Sequence, residues 1–400
     1  MCQKAIGIIA EYNPLHNGHR YQMGVASESG APLIVVLSSN FLQRGEPAFI
    51  DKESRARMAL KAGADLVLEL PVVFSCHNAG VFAKGAVDIL EATGVVDRIS
   101  FGMENIPPTL DRILAILVDE PHPFKANLRY FLDSGFSYVQ ARAEAAEKLC
   151  PGAREFLSLP NNSLALSYMT RIAQKNYHIR PMPVSRIGGG YHQKELHPTY
   201  PSATSVRYAV RNGNPNSTDG MSSCCAEILQ EQISLGRCCM DLGKLWEYIR
   251  FSLMRTTPED LGKHAEFGEG IENRFLSYLH RSSSWEEFIS LCVTKRYPRG
   301  RLQRNMIHFL INLKHRQNRD FQKKGPAYIR TLGANAKGRE LLKAMKERSR
   351  LPLVARLSHL KGDEYGSSMM DVERRACDLW ELLIPQGNPG RELKRSPVLI

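Results

Sequence analysis

Two histidines flanking a glycine carry the first chemistry visible in this chain. Asn13-Pro14-Leu15-His16-Asn17-Gly18-His19 follows directly on an apolar run, Ala5 to Ala10, of the length of a buried strand. A strand that ends in HxGH and turns into a helix makes a phosphate site. The helix expected from near Gly18 presents unpaired backbone N–H groups and the positive end of its dipole at the strand's carboxyl end. Gly18, with no Cβ, would let a base or a phosphate approach the backbone. The imidazoles of His16 and His19 can donate hydrogen bonds to phosphate oxygens and stabilise charge on a departing pyrophosphate. The bland alternative is a strand-to-helix turn with two polar surface histidines; a correct strand–helix context favours the phosphate site.

Three further polar sets follow. Leu159-Pro160-Asn161-Asn162-Ser163 precedes an apolar helical pattern, where an asparagine serves most often as an N-cap. Arg186 closes a short strand, Met182 to Ser185, and precedes Gly188-Gly189-Gly190-Tyr191-His192. An arginine beside three glycines can reach a phosphate over bare backbone, and a flexible loop is the equal alternative. Pro201-Ser202-Ala203-Thr204-Ser205-Val206-Arg207 opens another helix, in which capping explains Ser202 but not Arg207.

These residues need a frame, and the first 100 residues supply one. Leu33 to Leu37, Leu66 to Leu70 and Val95 to Phe101 are apolar runs of strand length separated by helical patterns. Asp51 to Lys61 reads as one crossover helix. Asn78 to Ala92 reads as a second, with Val81, Phe82, Ala86, Ile89 and Leu90 facing inward. The fold class expected is α/β, a Rossmann-like parallel sheet with ligands at the carboxyl ends of its strands. Phe101-Gly102 lies at one such end, where the glycine either admits a purine ring or simply ends the strand.

At 400 residues with 43% apolar content the chain is long enough for two cores. No run approaches the ~18 apolar residues of a membrane span, and the N-terminal stretch runs into Glu11, unlike a signal peptide. Nine cysteines, an odd number, suggest reduced thiols and a cytoplasmic setting. Cys224-Cys225 and Cys238-Cys239 are adjacent pairs, not the CxxC knuckles that aim two sulfurs at one ion. They read as small helix-packing residues, with structural zinc the alternative.

Charge is uneven. Residues 1–200 hold 20 Lys and Arg against 19 Asp and Glu, whereas residues 201–400 hold 33 against 22. Residues 301–350 alone hold 14 basic and 3 acidic side chains, which concentrates the excess in one segment and marks a polyanion-binding surface. On a helical wheel Arg301, Arg304, His308 and His315 share one face, and Leu302, Met306, Phe309, Leu310 and Leu313 the opposite one. With Lys295, Arg296 and Arg299 just before it, the basic face is expected to meet nucleic acid; a solvated face without a partner is the alternative.

In order from residue 7 to residue 333, the chain carries GIIAEYNPLHNGH, SSNFLQRGEPAFIDK, GADLVLELP, SFGMEN, LPNNSLALSY, SRIGGGYH, SATSVR, EGIENR, TKRYPRGRLQR and YIRTLG. HxGH with a SATSVR element resembles the nucleotidylyltransferase superfamily, whose second signature, ISxTxxR, closes over a triphosphate. The whole series resembles the bacterial tRNA(Met) cytidine acetate ligases.

The resemblance implies an ATP-dependent ligase that adenylates acetate and passes the acetyl group to N4 of the wobble cytidine of elongator tRNA(Met), with Mg2+ on the phosphates. It places ATP contacts on Ile9, Ala10, Glu11, Tyr12, Asn13, Pro14, Leu15, His16, Asn17, Gly18, His19, Arg20, Tyr21 and Gln22. Further contacts fall on Gly102, on Asn161 or Asn162, and on Arg186, Ser202 and Thr204, with His16, His19 and Arg207 catalytic. RNA contacts fall on Lys295, Arg296, Arg299, Arg301 and Arg304; no membrane and no protein partner is implied. Leu15 stands where the family more often has phenylalanine, and Gly300 where it usually has threonine. Residues 1–212 would form the catalytic unit and residues 222–400 a mainly helical basic unit for tRNA. Two alternatives stay open: nucleotidyl transfer to a small phosphorylated metabolite, and a non-catalytic RNA-binding protein that keeps ATP as a ligand.

Overall fold

The computed structural model describes residues 4–187, 197, 199–360 and 363–400. The five expected strands are present as β1 (Ala5–Ala10), β2 (Leu33–Ser38), β3 (Leu66–Leu70), β4 (Val96–Met103) and β5 (Arg180–Ser185). All five run parallel in the order β3-β2-β1-β4-β5. Strands β2 and β3 are buried along their whole length, which is why they read as unbroken apolar runs. The chain leaves β1 toward β2 on one side and returns to β4 on the other, so a crevice opens at the carboxyl ends of β1 and β4.

Local chemistry sets the crossovers. Asp51 caps the helix Lys52–Ala62 by accepting from the Ser54 N–H (2.7 Å), and Gly63 ends it with φ of 121°. Asn78 caps the helix Ala79–Ala92 through Val81 N–H (3.2 Å); Phe82, Ala86, Ile89 and Leu90 are buried, with Val81 partly so. Gly7 lets that helix lie against β1, because a Cβ there would meet Leu90 Cδ1 at 2.7 Å.

The second half of the chain is mainly helical, but it does not stand apart from the sheet. Strand β6 (Ile329–Ala334) pairs antiparallel with β3, and β7 (Leu353–Val354) and β8 (Val398–Leu399) pair with β6. The parallel sheet is thus extended by an antiparallel edge, and residues 222–400 complete a core that residues 1–212 begin. No helix of the described residues is long and apolar enough to cross a membrane.

Besides this shared apolar core, buried charge joins the two halves. The Lys52 ammonium is fully buried between Glu69 of β3, Glu373 (2.8 Å) and Glu392 (2.6 Å), and Arg330 of β6 bonds Glu69 and Glu392 in turn. Burial opposes the Lys52 charge, yet Cys377 and the three carboxylates around it hold its pKa well above the usual lysine range. Burial raises the Cys377 thiol as well and keeps it neutral, so the carboxylates carry the effect. Lys52→Met removes the cation and leaves its buried carboxylates without it. Urea unfolding is expected to show a loss of about 3–5 kcal/mol; a loss below about 1 kcal/mol would mean that the cluster is not what binds the halves.

Candidate nucleotide site and basic face

At the end of β1 the backbone turns through Tyr12, buried and held at φ of 47°, a left-handed geometry uncommon for a bulky residue. The helix Asn17–Ser27 then starts with a reciprocal cap built from the two histidines. His16 Nδ1 accepts from the Gly18 N–H (3.1 Å), and His19 Nδ1 accepts from the His16 N–H (3.3 Å). Their rings lie 3.8 Å apart between centroids, with Tyr12 edge-on to His19 at 5.0 Å. Because each Nδ1 accepts a hydrogen bond from a backbone N–H, each neutral ring is the tautomer that carries its hydrogen on Nε2.

Burial, aided by Arg186, pushes His16 down to about 3, and burial pushes His19 well below the usual histidine range. Both are therefore neutral donors at pH 7, and a phosphate placed against them would itself supply the charge assistance. The surface-histidine alternative fails, since His16 is only 5% exposed. Gly18 has a use beyond the one expected: a Cβ there would sit 3.0 Å from the His16 ring. The glycine makes room for the capping imidazole.

Both rings line a cavity in the β1–β4 crevice. Of the stretch from Ile9 to Gln22, the residues Ile9, Ala10, Glu11, Tyr12, Asn13, His16, His19 and Gln22 reach it. Gly18 and Tyr21 line a small adjoining recess. Leu15 is instead fully buried in the core beneath, Pro14 is buried, Asn17 donates to Thr199 O (3.0 Å), and Arg20 faces outward. The position that differs from the family's habit, Leu15, accordingly shapes the core and not the cavity.

Gly102, next to last in β4, lies against Arg186, whose Cγ a Cβ would meet at 3.1 Å. Arg186 prolongs the β5 ladder by donating its N–H to Met103 O (2.9 Å), and its guanidinium donates to Asn161 Oδ1 (3.3 Å). Asn161 faces the cavity, whereas Asn162 is fully buried, accepting from Glu104 N–H (2.8 Å) and donating to Asn105 Oδ1 (2.6 Å). Neither is an N-cap. The helix Pro160–Lys175 begins after Leu159, and the Glu104 carboxylate accepts its first N–H groups, Asn161 (3.2 Å) and Asn162 (2.9 Å). The glycine run 188–190, with Tyr191 and His192, lies outside the described residues.

Ser202 caps the helix Ala203–Arg211 in a box with Ser205, as expected. Arg207 lines the same cavity, donating to Asn13 O (2.7 Å) and Thr204 Oγ1 (3.4 Å), with Glu46 at 3.7 Å. Leu42, Gln43 and Arg44 also line the cavity, and Phe82, Phe101, Leu164 and Tyr168 give it an apolar end. Sequence reasoning gave Leu42, Gln43, Arg44, Leu164 and Tyr168 no role, although all five lie inside quoted motifs. The Glu11 carboxyl, raised by burial, accepts from Gln43 N–H (2.8 Å) and ties this loop to the end of β1.

The basic face departs most from its wheel. The helix Arg299–Leu310 ends before His315, which begins the next helix, and His308 is fully buried with its Nε2 2.8 Å from Cys76 O. Arg304 bonds Glu266 (2.9 Å), Arg296 and Arg301 share Glu269 (2.7 and 3.2 Å), and Arg299 pairs with Glu286. Lys295 is exposed. The arginines are met by carboxylates from outside the 301–350 window, which a segment count cannot see. The cysteine pairs diverge as well: Cys225 and Cys238 pack in one core cluster and Cys239 in another.

A model of the HIGH nucleotidyl transferase family matches residues 3–395. The tRNA(Met) cytidine acetate ligase of Halothermothrix orenii is 35% identical over 99% of this chain and 98% of its own length. That of Syntrophomonas wolfei is 36% identical over 98% and 99%. The crystal structure of Thermotoga maritima TmcAL bound with alpha-thio ATP superposes with a TM-score of 0.91, at 31% identity and 99% coverage of both chains.

Because His16 both caps a helix and aims Nε2 at the cavity, the two roles can be separated. His16→Ser keeps a capping oxygen, so its thermal midpoint is expected near wild type, whereas His16→Ala loses about 1 kcal/mol. Both should lose about 100-fold or more in ATP turnover. A serine variant that keeps more than about a tenth of the turnover would show that the ring serves the cap alone.

Proposed function

From the premise that this chain belongs to the HIGH nucleotidyl transferase family, and within it to the tRNA(Met) cytidine acetate ligases, we propose that it makes acetyl-adenylate and transfers the acetyl group to N4 of the wobble cytidine of elongator tRNA(Met). The observation that carries this reading is the histidine capping box, whose two rings line a cavity that Arg207, bonded to Asn13 O, lines as well.

Acetate is a poor electrophile, and a cytosine amine, its lone pair delocalised into the ring, is a poor nucleophile. In the first step an acetate oxygen attacks the α-phosphorus of ATP, the bond to the bridging oxygen breaks, and pyrophosphate leaves. His16, His19 and Arg207 stabilise the charge that moves onto it. In the second step N4 attacks the acetyl carbon, the carbon–oxygen bond to AMP breaks, and N4 gives up a proton. The products are N4-acetylcytidine, AMP and pyrophosphate.

Arg186 and Asn161, bonded to each other beside Gly102, hold the nucleotide at the β4 side, and Ser202 and Thr204 flank it at the start of the Arg207 helix. Mg2+ belongs on the phosphates. Of the cavity's carboxylates, Glu11 is engaged by Gln43 N–H and Glu46 faces Arg207, so phosphate and water supply most of the ion's ligands. Residues 1–212 supply this chemistry and residues 222–400 the RNA contacts, in a cytoplasmic enzyme.

The reading is tested with labelled acetate, ATP and transcripts of elongator tRNA(Met) that carry either C or U at the wobble position. Label is expected on the C transcript alone. Label on neither, with AMP joined instead to RNA or to a phosphorylated metabolite, would favour simple nucleotidyl transfer.

A further inference from the structure

Beside the nucleotide cavity lies a second, larger void of about 600 Å³, against about 180 Å³ for the cavity itself. It runs between the helices Tyr138–Glu147, Ala79–Ala92 and Pro160–Lys175 on one side and the start of the basic helix on the other. The two voids share a wall one helix thick, about 10 Å. On that helix Asn161, Leu164 and Tyr168 face the nucleotide cavity, and Ser163, Ser167 and Arg171 face the cleft. Arg304 stands at the seam, bonding Glu266 in the cleft (2.9 Å) while reaching Gln43 O of the nucleotide loop (3.4 Å).

The cleft is lined by Lys84, Arg142, Arg171, Arg296, Arg301 and Arg304 against only Glu120 and Glu266. Arg171 is matched by Asp88 (2.7 Å), and the last three by Glu269 and Glu266. Arg142 differs. Among the described residues it makes neither a hydrogen bond nor an ion pair; burial lowers its pKa, and only the longer-range fields of Tyr138 and Glu120 favour its charge. A guanidinium placed so in a cleft is suited to an anion that arrives with a ligand. At the cleft mouth Tyr138, 58% exposed, offers a ring at the first turn of the same helix.

We propose that this cleft binds an unpaired RNA segment, with backbone phosphates between Arg142 and Arg301 and a base stacked on Tyr138. The inference rests on the acetyl-transfer reading and extends it: the RNA is gripped from two sides, by the 138–147 helix as well as by the basic helix. Stacking on an exposed aromatic beside backbone-tracking cations is how unpaired strands are held, whereas duplex RNA is read by shape across its minor groove. A strand in the cleft lies one helix, about 10 Å, away from the nucleotide cavity.

The test measures binding of full-length tRNA transcript, of a single-stranded RNA heptamer with the anticodon-loop sequence, and of a duplex of the same length, over a range of salt. Arg142→Ala is expected to lower the salt slope by about 0.7 for one lost phosphate contact on a single strand, with Arg142→Lys restoring it. Tyr138→Ala should weaken binding about fivefold or more at an unchanged slope. The heptamer should compete with tRNA, and the duplex should not. Wild-type affinity and slope in both the alanine variants, with Arg299→Ala weakened, would put the RNA outside the cleft and overturn the proposal while leaving the acetyl-transfer reading intact. Failure of the wild-type protein to bind any RNA would overturn both. If Arg142→Ala lowers the unfolding midpoint, Tyr138→Ala decides, since so exposed a ring supports no core.

Discussion

The Lys52 ammonium sits at the place where the first and last parts of the chain meet, with no access to water. It bonds Glu373 (2.8 Å), Cys377 (3.2 Å) and Glu392 (2.6 Å), side chains whose spacing would also suit a metal ion, so the ammonium stands where a cation would bind. Its own helix start is pinned by Lys52 N–H to Asn40 Oδ1 (3.0 Å). The next turn sends Arg55 to Glu11 O (2.7 Å) and Ser39 O (2.8 Å). Glu373 also accepts from Ser39 Oγ, and Trp380, on the same late helix, donates to Ala48 O (2.7 Å). Through these bonds the C-terminal helix holds both ends of the 39–50 loop that walls the nucleotide cavity. A buried ion cluster of this kind gains little net stability over an apolar core, but removing one member is costly, and that asymmetry binds the two halves into one structure.

On this frame the phosphate site needs little additional machinery. The capping box satisfies two N–H groups at the start of the Asn17–Ser27 helix and, by the same two bonds, fixes which nitrogen of each imidazole carries the proton. Preorganisation of this kind costs nothing when charge moves onto a leaving group. The loop that carries Gln43 is bonded on one side to Glu11 of the nucleotide strand and on the other to Arg304 of the basic helix. Gly45, at φ of 76°, packs so closely on that helix that a Cβ would lie 2.4 Å from the Arg304 nitrogen. The basic helix and the end of β1 that borders the cavity thus touch through one loop.

Much of this was legible in the sequence where local chemistry decides the outcome. The Ala5 to Ala10 strand, the crossover helices that begin at Asp51 and Asn78, the cap at Ser202 and the parallel core follow from apolar runs and polar residues that act within a few positions of themselves. What failed did so for lack of long-range partners. The wheel that set Arg304 and His308 on one basic face could not know that Glu266 would arrive from 38 positions before Arg304 to pair with it, or that His308 would be buried against Cys76 O. Strand β6 gave no alternating signal because it is buried on both faces, and so it was absorbed into a helical half. That Gly18 also makes room for the His16 ring was not visible, because the direction of that ring is not a property of sequence spacing. The choice between Asn161 and Asn162 likewise waited on Glu104, a carboxylate 57 residues from Asn161.

The measurement that bears most directly on the account is isotope exchange between pyrophosphate and ATP, with and without acetate and before any RNA is added. If the capping-box histidines and Arg207 serve a carboxylate attacking the α-phosphorus, exchange appears with acetate and is absent without it. Exchange that ignores acetate, or that starts only when a phosphorylated metabolite is supplied, would contradict the account and assign the site to another nucleotidyl transfer.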